Sequence, residues 1–172
     1  MRQLTIVIAA ACFGLPTPAA AEVVSSDERG FAITGSADVT ASPGEVWAAL
    51  LQPARYWNGS HSWSADARNL AIEPDAGGCF CEAIPGGGSA EHMRVVNIVP
   101  ENRLTMRGAL GPLQGEALAG VLTVTLVAQE GGTRLSWDYV VGGYARFPLT
   151  DLAPTVDSVI REQMTRLAAL FD

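Results

Sequence analysis

The chain contains no lysine; all eleven of its basic residues are arginine. Without a primary amine on a side chain there is no Schiff base to a carbonyl substrate or to pyridoxal phosphate, and no lysine for a phosphate-binding loop. Positive charge is scarce as well, since eleven basic residues stand against eighteen acidic ones and leave a formal charge of −7. That balance excludes the basic stripe that nucleic-acid phosphates require, and a polybasic membrane patch with it. Cysteine is limited to Cys12, Cys79 and Cys81. One C-x-C without a second Cys/His cluster falls short of the four ligands of a structural zinc site, so no metal is expected. Residues two apart on a flat strand hold their α-carbons about 6.5 to 7 Å apart, at the far edge of disulfide geometry. Cys79 and Cys81 are therefore expected as free or packed thiols unless the strand bulges.

The N-terminus reads as an address rather than as structure. Arg2 is followed by an apolar run from Leu4 to Leu15, a break at Pro16 and Pro18, and Ala19-Ala20-Ala21 before Glu22. This is the order of a secretory signal peptide with an A-x-A cleavage site, and the apolar run is too short to span a bilayer. Residues 1–21 are expected to be removed, giving a periplasmic or secreted protein with no transmembrane segment in the mature chain. Residues 22–30 read as a linker, and 31–172 as one domain large enough for a real core.

Within that domain, Phe31, Ile33, Gly35, Ala37 and Val39 alternate with more polar residues, as in a strand. Ser42-Pro43-Gly44-Glu45 is a capping box with proline at the first helical position, which opens a short helix through Leu51. Pro53 starts a second short turn ending near Trp57, and Ala67 to Ile72 reads as a strand. Two long strands meet at Gln129-Glu130-Gly131-Gly132, where pairing Leu126 with Leu135 aligns Val124 with Trp137 and Leu122 with Tyr139. Val156, Val159, Ile160, Met164, Leu167 and Phe171 fall at helical spacing and predict a long amphipathic C-terminal helix beginning between Thr150 and Val156.

A hairpin carries most of the chemistry. Strands Gly78 to Ile84 and Ala90 to Val99 flank a glycine-rich loop, and pairing Ile84 with Ala90 sets Glu82 opposite His92. Phe80 and Arg94 then share their face. The next strand, Arg103 to Gly108, alternates Leu104 and Met106 with Arg103, Thr105 and Arg107, the pattern of a half-buried antiparallel strand. Pairing Ile98 with Leu104 sets Val96 against Met106 and turns Glu82, His92 and Arg94 inward. A one-residue slip at either turn would swap the faces.

The element order, with Val46-Trp47-Ala48-Ala49-Leu50, Ala76-Gly77-Gly78, Asn97-Ile98-Val99-Pro100, Arg103-Leu104 and Thr133-Arg134-Leu135, resembles the START-like or SRPBCC superfamily. The resemblance covers Phe31 to the C-terminus. It implies the α+β helix-grip fold: a curved antiparallel sheet of about seven strands around a long C-terminal helix, with two short helices after the first strand. It further implies a cavity for a hydrophobic or amphipathic small molecule, and it carries neither a shared catalytic motif nor a cofactor.

The residues expected to hold such a ligand are Trp57, His61, Glu82, His92, Arg94, Met106, Trp137 and Tyr139. Glu82 and His92 are the candidate catalytic pair, with the carboxylate orienting the imidazole so that its other ring nitrogen handles a proton. Equally, Glu82, His92 and Arg94 can be a satisfied polar cluster that fixes register. Trp57, His61 and Trp63 can form an aromatic mouth or a loop packed back on the sheet, and Trp137 and Tyr139 line either pocket or core. Asp157, on the flank of the last helix, is expected in solvent. The two functions these residues admit are a binding protein and an acid-base enzyme of cyclase or hydrolase type.

Overall fold

A computed structural model of the chain describes residues 20–171. The signal peptide expected over residues 1–21 lies outside the described residues except for its last two. Strand β1 (Ala20–Asp27) pairs with β2 (Gly30–Val39), so the segment expected as a linker is an edge strand. Its sequence carries no alternation because it has a neighbour on one side alone and is exposed along most of its length. Helix α1 (Pro43–Leu50) follows, with the capping box closed in both directions: Ser42 Oγ accepts from the Glu45 N–H and Glu45 returns to the Ser42 N–H. The second expected helix is a 3₁₀ turn, Pro53–Arg55.

Six more strands complete an open antiparallel sheet: β3 (Leu70–Ile72), β4 (Cys79–Ile84), β5 (Gly88–Val99), β6 (Arg103–Arg107), β7 (Ala117–Gln129) and β8 (Gly132–Tyr144). Their order across the sheet is β1-β2-β8-β7-β6-β5-β4-β3. β3 is shorter than expected because Ala67–Asn69 forms a 3₁₀ turn. The β7/β8 register matches the sequence reading, with Leu126 on Leu135, Val124 on Trp137 and Leu122 on Tyr139. Helix α2 (Leu149–Ala168) begins one residue earlier than expected and contains Pro154 within its second turn. Its buried side packs against β1 and β2. No described helix is long and apolar enough to cross a membrane. The fold is therefore α+β and consistent with a helix grip.

The β4/β5 hairpin departs from the expected pairing in two places. Beyond the loop, Ile84 meets Gly88 and Glu82 meets Ala90, a two-residue offset that leaves every side chain on its expected face. Then the ladder shifts: Cys81 faces Glu91 while Phe80 faces Met93, so His92 is an extra residue on β5. A bulge of this kind reverses the alternation beyond it. His92 and Met93 are both buried, and Arg94 is turned outward. A second shift between Val95 and Asn97 makes Val96 the extra residue, so Val95 rather than Val96 faces Met106, and Ile98 still meets Leu104. At the first shift β4 draws in as well. The α-carbons of Cys79 and Cys81 stand 5.3 Å apart and the two are joined in a disulfide, which replaces the expected free thiols.

Candidate functional site

Glu82 lies in the middle of β4 with 1 % of its surface exposed. A carboxylate in that position must find donors for both oxygens. It finds three: Oε1 accepts from the Ser64 N–H at 2.5 Å, and Oε2 accepts from the Trp63 N–H at 3.0 Å and meets His92 Nε2 at 2.8 Å. Burial pushes the Glu82 carboxyl up, but the hydrogen bonds from Ser64, Trp63 and His92 outweigh it and hold the group below its ordinary value. Glu82 is accordingly a carboxylate that can only accept. The hydrogen between the two side chains therefore belongs to His92 Nε2, and in the neutral ring Nδ1 is the acceptor.

His92 is 6 % exposed. Its ring packs at 5.2 Å from Phe80, which in turn meets Trp57 edge-on at 5.3 Å. No described residue bonds to Nδ1. The imidazole lines a cavity of about 240 Å³. Trp57, His61 and Trp63 wall it from the loop after α1, Leu110 and Pro112 from the loop after β6, and Leu152, Val156, Val159 and Ile160 from α2. The lining is apolar apart from the imidazoles and a few hydroxyls.

The tryptophan loop is tied down at both ends. The Asn58 N–H donates to Gln163 Oε1, Asn58 Nδ2 donates to Glu162 Oε1, and Arg166 Nε donates to the Tyr56 carbonyl, each at 2.6 Å. At the far end the Trp63 and Ser64 amides hold Glu82. Trp57 Nε1 donates to the His61 carbonyl and Trp63 Nε1 to Gln114. His61 Nε2 meets Glu162 Oε2 at 3.1 Å at the half-exposed mouth. Both histidines of the chain thus line one cavity, each with Nε2 on a carboxylate.

Four other expected ligand residues stand elsewhere. Arg94 is on the outer face, where it pairs with Glu91 and donates to the Gly77 carbonyl; the bulge at His92 is the reason. Met106 and Trp137 are buried in the core and do not line the cavity. Tyr139 is also core, and its hydroxyl accepts from the Leu110 N–H at 3.2 Å and donates to the Gly108 carbonyl at 3.3 Å. Burial pushes that phenol up to about 12. Tyr139 thereby anchors the loop that walls the cavity without touching the space itself. Asp157, expected in solvent, is 8 % exposed, and its Oδ1 has no partner among the described residues. Spacing explains this, because residue 157 shares the buried stripe of Ala153, Ile160 and Met164.

Sequence reasoning missed the helix side of the site and Glu162. The apolar i, i+4, i+7 series Leu152, Val156, Val159 was the available signal for the former. The pairing of His61 with Glu162, a hundred residues apart, had none.

Among the described residues no cluster of His, Cys, Asp and Glu is arranged to hold a metal ion. No curated protein matches the sequence. Solved structures of similar fold include a protein from Mesorhizobium loti, 20 % identical over 81 % of this chain and 95 % of that one, with a TM-score of 0.57. A putative uncharacterized protein from Rhizobium leguminosarum is 21 % identical over 90 % and 98 %, at 0.58. CalU16 from Micromonospora echinospora is 16 % identical over 87 % of each chain, at 0.52. Identities this low speak for the fold alone. The family model described as polyketide cyclase / dehydrase and lipid transport matches residues 31–172, the whole of the sheet from β2 onward together with α2, and the chain belongs to that family.

Proposed function

We propose that this protein is an exported carrier that holds a hydrophobic or amphipathic small molecule between its sheet and its C-terminal helix. The observation that carries the reading is the apolar cavity with one deep polar group, His92, kept in a single tautomer by Glu82. Small-molecule sites have this composition: apolar walls and a few fixed polar groups that orient the ligand. Export rests on the order of residues 1–21, and a cut after Ala21 leaves residues 22–27 of β1 still paired with β2. The test is native mass spectrometry and extraction of protein purified from its own periplasm. A copurified apolar compound is expected; protein confined to the cytosol and empty of ligand overturns the reading.

The Glu82–His92 hydrogen bond also favours a second reading, an acid-base enzyme in which Nδ1 takes a proton from the bound molecule. His92→Ala is then expected to lower turnover by about 10² to 10⁴ with ligand affinity nearly unchanged. Equal losses of binding and rate instead identify His92 as an anchor.

A further inference from the structure

We infer that the cavity takes a compact, neutral molecule of one or two rings bearing a hydroxyl, a phenol in chemical class, rather than an acyl chain with an anionic head. The inference rests on the reading of the cavity as a ligand site and adds to it the ligand's size, charge and polar group. Size comes from the volume of about 240 Å³. A cavity of about 150 Å³ lined by aliphatic and aromatic side chains accommodates benzene, so this one suits a bicyclic ring system. A long acyl chain would have to leave much of its length outside this space.

Charge comes from the lining. No described arginine lines the cavity and the chain has no lysine. Its two imidazoles are each already matched to a carboxylate, His92 to Glu82 and His61 to Glu162. An anionic head would therefore enter a site with no unmatched positive charge and with two carboxylates directly behind the histidines. The polar group follows from the tautomer. Nε2–H of His92 is spent on Glu82, so in the neutral imidazole, the form this inference assigns at pH 8, the nitrogen left for a ligand accepts and the ligand atom that reaches it must donate. A hydroxyl on an aromatic ring supplies that donor, and Trp57 and Trp63 supply aromatic faces beside it.

Calorimetric titration of the mature protein at pH 8 with naphthalene, 2-naphthol and 2-naphthoate separates these elements. Expected are binding of naphthalene, about tenfold tighter binding of 2-naphthol, and binding of 2-naphthoate weaker than either. In His92→Phe the preference for 2-naphthol over naphthalene is lost while naphthalene still binds. Should that variant fail to fold, ¹⁵N resonances of histidine-labelled wild-type protein give the same information. The chain has two rings to assign, and His61→Gln identifies which is which. 2-Naphthol should move the Nδ1 resonance of His92. If naphthalene binds and 2-naphthol is no tighter, or leaves that resonance in place, this inference fails while the cavity reading stands. Tightest binding by 2-naphthoate likewise overturns it. If none of the three binds, the cavity reading fails and takes the inference with it.

Discussion

At the scale of single residues, Glu82 has the highest stakes in the molecule. Removing its side chain strands the Trp63 and Ser64 amides and His92 Nε2 in a buried setting. Breaking a buried pair from one side costs about 3 kcal/mol. Glu82→Ala should therefore lose roughly that much in urea unfolding, and a loss below about 1 kcal/mol contradicts the assigned hydrogen bonds. The same bonds make a prediction in pH. The folded carboxyl titrates below its ordinary value of 4.5, so its contribution to stability is complete above that value and is lost as pH falls through the folded one. Glu82→Gln should flatten the acid limb of the stability curve below about pH 4.5 relative to wild type. An unchanged acid limb would mean that Glu82 does not titrate as described.

Elements decide where those residues point, and here the glycines and the bulges matter most. At Gly35 on β2 an added Cβ would stand 2.2 Å from the Trp137 ring. The indole lies across that strand, and Gly35→Ala should destabilise by about 3 kcal/mol or force Trp137 out of place, which near-ultraviolet circular dichroism would register. A wild-type spectrum and midpoint contradict this packing. On β4, the Cys79–Cys81 bridge closes a loop of three residues, for which chain entropy gives about 1.6 kcal/mol. Reduction should lower the melting temperature by a few degrees, and intact mass should rise by two hydrogens. Failure of iodoacetamide to label two thiols only after reduction would show the bridge is absent.

The same elements show what a reader of the sequence can and cannot recover. The period-two alternation of β7 and β8 and the branched and aromatic residues on it were enough to specify register, because one face is buried from Gly120 to Leu126 on β7 and from Thr133 to Val141 on β8. The capping box and the stripe of α2 were equally plain. Glu82 and His92 were legible as partners because an even offset of register preserves their faces. Arg94 was not, since nothing in Glu91-His92-Met93 announces a bulge, and one extra residue turns over the side chains that follow until the second shift at Val96 restores them. β1 escaped notice because a solvated edge strand has no pattern to read, and the disulfide because its geometry depends on the contraction of β4 beside that bulge.

For the molecule as a whole, α2 and the loops after α1 and β6 wall a cavity over His92 of the sheet, and the loop after α1 is tied both to α2 and to Glu82. This arrangement explains why one hydrogen-bonded pair sits inside an otherwise apolar grip: the backbone of residues 63 and 64 neutralises the cost of burying Glu82, and Glu82 in turn fixes His92. Filling the space should leave this framework standing while abolishing occupancy. The decisive measurement is thermal unfolding of wild-type protein and of Val156→Trp across a titration of an apolar bicyclic compound such as naphthalene. Wild type should gain stability as RT ln(1 + [L]/Kd), about 2.7 kcal/mol at a hundredfold excess over Kd, a rise of about 5 to 10 °C for a domain of this size, and Val156→Trp should show none. A wild-type midpoint that stays fixed, or an equal rise in both proteins, would contradict a ligand site between helix and sheet.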